Sequence, residues 1–323
     1  MSRRHTGIRV LAAATLLVPL AACSSSDSGG DSEPAAKAAG FPYTVTNCGV
    51  KTTYEAPPKR AVTMNQHATE VMLELGLKDR MAGTAYLDDK VLPKYAKAYD
   101  SLPVVAKEYP SYEKLLAANP DFVYGGYASA FLAGDGRSRG ALAKSGIESR
   151  LNIEGCAKRP VTMNDVFREV REVGATFGVR DRADTWVGGA ERELAATAKK
   201  SKGKKPRSVF VYDSGDKTAF SVGGRGIGND IIKRAGGRNI LSHVDKSFAD
   251  ASWETVVDRN PETIVILDYG ATTLAQKKKR LLDDPALADV PAIKNKSFAV
   301  LPLSDMVTGV RAPEAVRKLA AQL

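Results

Sequence analysis

The sequence contains three cysteines, and the residues that precede the first of them form a recognisable pattern. Cys23 directly follows Leu20-Ala21-Ala22, the end of a short apolar segment that three arginines precede. A basic start, a short apolar segment and small residues at the cleavage point are typical of a signal peptide. Because a cysteine follows, the pattern predicts a lipoprotein signal peptide at residues 1–22 and a lipid on the Cys23 thiol. Residues 23–40, rich in Ser, Gly and Ala, are then a flexible tether.

The other two thiols, Cys48 and Cys156, form an even pair. An exported chain meets an oxidising compartment, where paired cysteines favour a disulfide over a metal site. The sequence contains no CxxC motif and no cluster of Cys with His. We therefore predict a disulfide between Cys48 and Cys156.

Histidine is scarce, which limits metal chemistry. The sequence contains only His5, His67 and His243, and His5 is removed with the signal peptide. His-rich coordination of zinc or manganese is therefore not available, and we predict no metal site and no cofactor. His67 opens a predicted helix, where it contacts a chelate or haem iron or else makes a structural hydrogen bond.

Motifs for catalysis are also missing. The sequence has no GxSxG or HExxH motif. The glycines of residues 223–228 match neither the dinucleotide-binding nor the Walker pattern. Asp88 with Asp89, and Asp213 with Asp216, are more simply loop acids than catalytic pairs. The sequence thus predicts a protein that is not an enzyme.

Short apolar stretches alternate with helical patterns along the chain. The stretches are rich in β-branched and aromatic residues and have polar boundaries, which is typical of buried parallel strands. They cover residues 60–64, 121–124, 208–212 and 263–267. This alternation predicts an α/β fold with mainly parallel sheets.

One internal repeat stands out. Ser111-Tyr112-Glu113 and Asn119-Pro120 recur as Ser252-Trp253-Glu254 and Asn260-Pro261, each 141 positions later. In both copies a Ser caps a short helix, Asn-Pro ends it and an apolar strand follows. Two copies this far apart indicate two similar lobes. The alternative is two ordinary helix-strand units with the same local pattern.

A helical pattern lies between the two halves. Apolar residues recur at helical spacing from Met163 to Phe177. We predict an N-terminal lobe at residues 41–162, a connecting helix at 163–180 and a C-terminal lobe at 181–323. The alternative is that this helix only caps the first lobe.

These features together resemble the iron-siderophore and vitamin B12 class of periplasmic solute-binding proteins. The resemblance covers about residues 41–323 and rests on the paired Ser-aromatic-Glu segments, on residues 58–76, on Gly236-Gly237-Arg238-Asn239 and on residues 284–302. It implies two similar α/β lobes with mainly parallel sheets, joined by a single long helix, with a ligand cleft between them.

The resemblance also implies a partner. In that family the Glu in the first turn of each paired helix docks an arginine of a two-fold ABC permease, and Glu113 and Glu254 match those positions. A carboxylate at a helix start is favoured by the helix dipole and, when exposed, can pair with arginine. The alternative is a helix-start carboxylate that has no partner.

The ligand site is expected where loops after the strands face each other across the cleft. Tyrosine recurs in these loops, and its ring and hydroxyl suit a chelate with apolar faces and a few oxygens. A single tyrosine could equally pack on a lobe surface. The ligand-binding candidates are Asn65, His67, Tyr86, Tyr127, Tyr212, Asp213, Arg225, Tyr269 and Ser304.

Charge narrows the ligand class. Family members that bind anionic tricatecholates resemble this chain but carry arginines where Tyr127, Arg225 and Tyr269 fall, so only Arg225 remains here. A ferric siderophore of the hydroxamate type is therefore favoured. A corrinoid, haem or another organic cofactor precursor stays open, as does a lipid-anchored enzyme or chelatase, or an adhesin or sensor, on the same scaffold.

The net charge is less informative about the partners of the protein. The formal charge of +10 includes the arginines of the signal peptide, and the other basic runs are typical of solvated helix faces. They could favour an anionic membrane surface, but no aromatic motif for nucleic acid accompanies them. We predict a secreted monomer that the lipid on Cys23 anchors to the outer face of the cytoplasmic membrane and that binds no nucleic acid.

Overall fold

The structure, a computed structural model, describes residues 38–323. The predicted signal peptide, Cys23 and most of the predicted tether lie outside these residues. The strands of the first half are β1 (Tyr43–Asn47), β2 (Val50–Tyr54), β3 (Ala61–Met64), β4 (Met81–Ala85), β5 (Val104–Ala106), β6 (Phe122–Gly125) and β7 (Glu148–Leu151). The helices of the first half are α1 (Gln66–Glu74), α2 (Pro93–Asp100), α3 (Tyr112–Ala117) and α4 (Arg139–Lys144).

Two adjacent helices, α5 (Met163–Thr176) and α6 (Arg180–Ser201), lead into the second half. Its strands are β8 (Arg207–Tyr212), β9 (Ala219–Val222), β10 (Gly237–Asn239), β11 (Phe248–Ala251), β12 (Thr263–Leu267) and β13 (Phe298–Leu301). Its helices are α7 (Ile227–Arg234), α8 (Trp253–Arg259), α9 (Leu274–Asp283), α10 (Pro291–Lys294) and α11 (Ala312–Ala320). No helix between residues 38 and 323 is long and apolar enough to cross a membrane.

Each half contains one parallel sheet. The first sheet has the strand order β5-β4-β3-β6-β7, and the second has the order β10-β8-β12-β13. The central strands β3, β6 and β12 are buried at every position, as expected for parallel strands that helices cover on both faces. The predicted α/β class with mainly parallel sheets is therefore confirmed. Two antiparallel ribbons, β1-β2 and β9-β11, accompany the sheets.

Helices α5 and α6 join the cores of the two halves. Val166 and Phe167 in the first half of α5 pack into the core of the second sheet, whereas Val170 and Val173 one turn later pack into the core of the first. Helix α6, the longer of the two with 22 residues, likewise contacts both cores. The exact lobe boundaries and the extent of the connector remain predictions.

The two copies of the internal repeat form the same local structure. Ser111 caps α3 by accepting a hydrogen bond from the backbone N–H of Lys114, and Ser252 caps α8 in the same way. Asn119 and Asn260, which follow these helices, both have left-handed backbone conformations, with φ of 47° and 50°. Asparagine tolerates this conformation better than most residues, which explains why it recurs at both ends.

Cys48 and Cys156 form a disulfide in the structure, with their Cα atoms 5.6 Å apart. Cys48 lies in the turn of the β1-β2 ribbon, and Cys156 lies in the loop after β7. The bond therefore fastens the ribbon to the edge of the first sheet. Nearby, the side chain of Asn47 forms two hydrogen bonds with the backbone of Leu151.

A buried ion pair connects α1 with the segment that leads into α11. Arg311 donates two hydrogen bonds of 2.6 Å to Glu70, and the two side chains are only 4% and 1% exposed. Burial alone would lower the pKa of Arg311, but the bonds to Glu70 raise it. Val310, the neighbour of Arg311, belongs to the core of the first half although its segment follows the second sheet.

This ion pair generates a stability prediction. Glu70→Gln and Arg311→Met should each lower the free energy of unfolding by about 3–5 kcal/mol, because each removes the main partner of a buried charge. In Glu70→Gln the Arg311 guanidinium keeps the more distant carboxylate of Asp305, 3.6 Å away. The double variant should lose less unfolding free energy than the two single variants lose together. Urea unfolding of all three variants, with the disulfide intact, measures the coupling.

The matched control is the exposed i,i+4 pair of Lys279 and Asp283. Removing either member should cost about 0.5 kcal/mol or less. If the two buried variants lose no more stability than this control, the ion pair does not hold the halves together.

Candidate ligand-binding site

A cleft of about 400 Å³ lies between the two halves. Its lining residues come from loops after strands and from the β9-β11 ribbon. They are Tyr86, Leu87, Asp88, Tyr127, Asp213, Phe220, Phe248, Tyr269 and Leu303. Both halves contribute, so a bound molecule would contact each of them.

The sheet topology explains the position of this cleft. Strand order reverses between β3 and β6 in the first sheet and between β8 and β12 in the second. Loops that leave such a reversal point run in opposite directions and open a crevice at the carboxyl ends of the strands. Tyr127 follows β6, Asp213 follows β8, and Tyr269 follows β12. The crevices of the two sheets thus form one cleft.

The wall contributed by the first half is held by polar contacts behind the lining. Asn65, which follows β3, accepts a hydrogen bond from the Tyr109 hydroxyl and donates one to Asp88. Asp88 also accepts from the backbone N–H of Gln66, the first residue of α1. Asn65 and Tyr86 both have positive φ, of 77° and 54°. Such backbone strain often accompanies functional sites and persists only where surrounding contacts enforce it.

His67 lies behind this wall. It is buried, and its ring contacts the Tyr127 ring edge-on with centroids 4.8 Å apart. The backbone of Gly126 passes so close that an added Cβ would lie 2.4 Å from the His67 ring. His67 therefore supports Tyr127 and does not line the cleft.

The wall contributed by the second half contains a linked acid, phenol and amine. The Tyr269 hydroxyl donates a 2.7 Å hydrogen bond to Asp213, and the Lys277 amine lies 4.8 Å from the centre of the Tyr269 ring. Lys277 is itself buried and donates to the backbone carbonyl of Leu267. The amine is thus engaged behind the wall, and the carboxyl and phenol face the cleft.

Burial dominates the acid–base properties of the cleft. It raises the pKa of Asp88 and of Asp213. Charge interactions, of Asp88 with His67 and of Asp213 with Lys277, and hydrogen bonds to both carboxyls act in the opposite direction. Burial and then nearby carboxylates also raise the pKa of Tyr127 and Tyr269. The phenols therefore stay protonated and offer hydroxyl groups, while the carboxyls gain protons more readily than surface carboxyls do.

Two phenylalanines from the β9-β11 ribbon complete the cleft. The rings of Phe220 and Phe248 stack with their planes only 19° apart and their centroids separated by 5.6 Å. Phe220 is one of the exposed large apolar residues of the described chain. An exposed aromatic pair at the mouth of a cleft can cover an apolar face of a ligand.

Four of the nine predicted ligand-binding residues line the cleft, namely Tyr86, Tyr127, Asp213 and Tyr269. Asn65, His67, Tyr212 and Ser304 are buried outside its lining. The Tyr212 hydroxyl donates to the backbone of Gly215, a contact that requires no ligand. Arg225 is 31% exposed, lies 3.7 Å from Asp245 and is also absent from the lining.

Five lining residues were not among the sequence candidates: Leu87, Asp88, Phe220, Phe248 and Leu303. Leu87 and Asp88 directly follow the candidate Tyr86, and Leu303 directly precedes the candidate Ser304. The two phenylalanines carried no such signal, because the antiparallel pairing of β9 with β11 is a long-range contact.

A second cavity, of about 420 Å³, lies beside Cys156. Arg159 and Arg168 line it, and both pair with Asp165, which lies between them. Lys158 also lines the cavity, so three cations there face a single carboxylate. Across residues 38–323, no group of three or more His, Cys, Asp or Glu side chains is arranged to hold a metal ion.

Two α/β halves around an aromatic cleft define a two-lobed binding protein. The profile of the periplasmic binding protein family matches residues 62–304, and the chain belongs to this family. The resemblance found in the sequence is thereby confirmed.

Individual relatives agree with this membership. A solved periplasmic binding protein from Veillonella parvula is 32% identical, with a TM-score of 0.80 over 87% of this chain and 97% of that one. The Bacillus subtilis protein YvrC, named an uncharacterized ABC transporter substrate-binding lipoprotein, is 25% identical over 95% of this chain and 93% of its own length. A vitamin B12-binding protein of Vibrio campbellii is 25% identical over 72% of this chain and 79% of its own.

The contact between Gly126 and His67 generates a prediction for the cleft. Gly126→Ala should weaken binding of any cleft ligand by about tenfold or more, because the new methyl group must displace His67 and Asn65. The His67 ring in turn contacts Tyr127 in the lining of the cleft. Calorimetric titration of the wild type and the variant with one ligand that the wild type binds measures the loss of affinity.

Gly134→Ala is the matched control, because an added Cβ there meets no atom within 4 Å. It should leave affinity within about twofold of the wild type. Equal affinities for the two variants would contradict the packing role of His67 behind the cleft.

Proposed function

We propose that this chain is the extracytoplasmic substrate-binding protein of an ABC importer. On this proposal it captures a ferric siderophore of the hydroxamate type and delivers it to a two-fold permease. Family membership supports the binding role, and the similarity to YvrC, an ABC transporter substrate-binding lipoprotein by name, supports the link to an ABC transporter. The protein carries no chemistry of its own in this role.

The charge of the cleft is the observation that carries the ligand class. Asp88 and Asp213 face it from opposite halves, and no Lys, Arg or His is among its lining residues within the described chain. A strongly anionic tricatecholate would meet carboxylates without a compensating cation, which is costly in a partly buried site. A ferric hydroxamate that carries a positively charged amine suits the same surroundings.

The aromatic residues support a chelate with apolar surface. Tyr86 and Tyr127 on one side face Tyr269 and the stacked Phe220 and Phe248 on the other. Their rings offer apolar area, and the Tyr127 hydroxyl can donate a hydrogen bond to an oxygen around a bound metal. The Tyr269 hydroxyl donates to Asp213 and can still accept a hydrogen bond from a ligand. Affinity would then come from buried aromatic area and a few polar contacts.

A corrinoid is the second candidate. The relatives named vitamin B12-binding proteins support it, since the Vibrio campbellii protein aligns over most of both chains. A corrinoid also has large apolar faces and no strong negative charge. The cleft chemistry on its own therefore does not separate it from a ferric hydroxamate.

Delivery would use the two repeat helices. Glu113 and Glu254 are both exposed in the first turns of α3 and α8. Hydrogen bonds at the helix start, from its own backbone N–H and from Ser111, lower the pKa of Glu113, so its carboxylate is ionised and available to a cation. We further propose that the lipid on Cys23 keeps the protein at the membrane, in agreement with the name of YvrC.

Titration with a panel of chelates tests the ligand class. Residues from Lys37 onward form one compact unit, so a fragment that starts there is suitable. We expect saturable calorimetric binding of a ferrioxamine-type chelate with a dissociation constant at or below about 1 μM. An iron-loaded tricatecholate should bind at least about a hundredfold more weakly.

Cobalamin and haem complete the panel. Tight binding of cobalamin with no binding of the hydroxamate would replace the first candidate by the second. Preferential binding of the tricatecholate would contradict the charge argument altogether.

The raised pKa values generate a prediction of pH dependence. Protonation of Asp88 and Asp213 removes the negative charge that attracts a cationic chelate, so affinity should be highest above their pKa values. Because burial raises both values, affinity should begin to fall at a higher pH than an ordinary surface carboxyl would produce. Dissociation constants measured from about pH 7.5 to about pH 4.5 follow this loss.

The double variant Asp88→Asn plus Asp213→Asn preserves shape and removes both charges. It should bind the cationic chelate about tenfold more weakly at neutral pH and lose most of the pH dependence. A neutral ferric hydroxamate is the control, since its affinity should change little. An unchanged pH profile in the variant would show that other groups control binding.

A further inference from the structure

The repeat helices share a second exposed feature besides their carboxylates. Leu116 lies one helical turn after Glu113, and Val257 lies one turn after Glu254. Both aliphatic side chains are exposed to the same extent, 38%, in a chain that otherwise buries most residues of this kind. Their positions correspond in the internal repeat, because they also lie 141 positions apart.

Packing of the fold does not require these two residues to be apolar. In each helix the preceding residue, Leu115 in α3 and Val256 in α8, is completely buried and anchors the helix to its half. The exposed neighbour points away from that core. A pair of exposed aliphatic residues at equivalent positions therefore suggests a partner that contacts both halves in the same way.

The surroundings of Val257 fit such a contact. Val257, Trp253 and Glu254 together line a surface pocket of about 520 Å³ on α8. The indole N–H of Trp253 is already bonded to the backbone carbonyl of Asp216, and Arg280 stacks on its ring. The Trp253 ring of this pocket is thus held in place before any partner arrives.

Spacing on the helix connects the two features. Residues i and i+3 are neighbours on one helix face, about 5–6 Å apart between their Cβ atoms. An arginine can lay its apolar stem along one side chain while its guanidinium pairs with the other. Glu113 with Leu116, and Glu254 with Val257, each provide such a combined surface.

We infer that Leu116 and Val257 form, with the two glutamates, a pair of equivalent docking surfaces for the two subunits of the permease. Each surface receives an arginine whose guanidinium pairs with the carboxylate and whose stem packs on the aliphatic side chain. This inference rests on the proposed function, and it adds the apolar half of the contact. The apolar contact excludes water from the ion pair, which an exposed pair alone would not do.

Photo-crosslinking in intact cells tests this without knowledge of the ligand. A photoreactive amino acid at the exposed position Lys114 reports contact of the full lipoprotein with the permease, identified by mass spectrometry of the crosslinked product. Leu116→Ser plus Val257→Ser should lower the crosslinking yield by about tenfold or more, as expected for a loss of about 1.4 kcal/mol of binding energy. The exchange Leu116→Val plus Val257→Leu should retain the yield, because it keeps both surfaces apolar.

Leu132→Ser is the matched control, since Leu132 is also an exposed leucine but lies outside the repeat helices. It should leave the crosslink unchanged. A normal yield from the double serine variant overturns this inference, while loss of the crosslink in Glu113→Gln plus Glu254→Gln would still uphold docking through the carboxylates. No crosslink from the wild type would overturn the proposed docking itself, and this inference with it.

Discussion

The buried ion pair between Glu70 and Arg311 organises much of the ligand-binding region. Removing two charged groups from water is costly, and the cost is offset only when further hydrogen bonds satisfy the pair. Here those bonds come from the loop after β4: the Leu92 N–H donates to Glu70, and Arg311 donates to the Lys90 carbonyl. The same loop carries Tyr86, Leu87 and Asp88 into the cleft. The contact that joins the halves therefore also positions one wall of the site.

The charge of the cleft depends on which charged side chains line it and which lie outside its lining. Lys277, the nearest cation of the second half, is bonded to a backbone carbonyl behind Tyr269, while Arg225 lies outside the lining. The remaining charged groups of the lining are two carboxyls on opposite halves. A binding protein of this kind selects its ligand by complementarity of charge and apolar area.

The internal repeat combines structure and contact in one short segment. Its serine cap, buried aliphatic residue and left-handed asparagine are needed to build the helix and to end it. Its exposed aliphatic residue has no such task in either half. The glutamate and the aliphatic residue recur at the same spacing, so on the proposed function two similar permease subunits would meet two similar surfaces.

The sequence by itself determined the elements that depend on local order. Strand and helix patterns, the serine caps of α3 and α8, the cysteine pairing and the two-lobed α/β class could all be predicted from spacing and residue type. Loops at the carboxyl ends of strands also identified Tyr86, Tyr127, Asp213 and Tyr269. Only the tertiary structure decided which neighbours of these residues face the cleft. The direction of a side chain at a loop depends on contacts from distant segments, and no local pattern encodes such contacts. Examples are His67, which lies behind Gly126, and Phe220, which stacks on Phe248 across the β9-β11 ribbon.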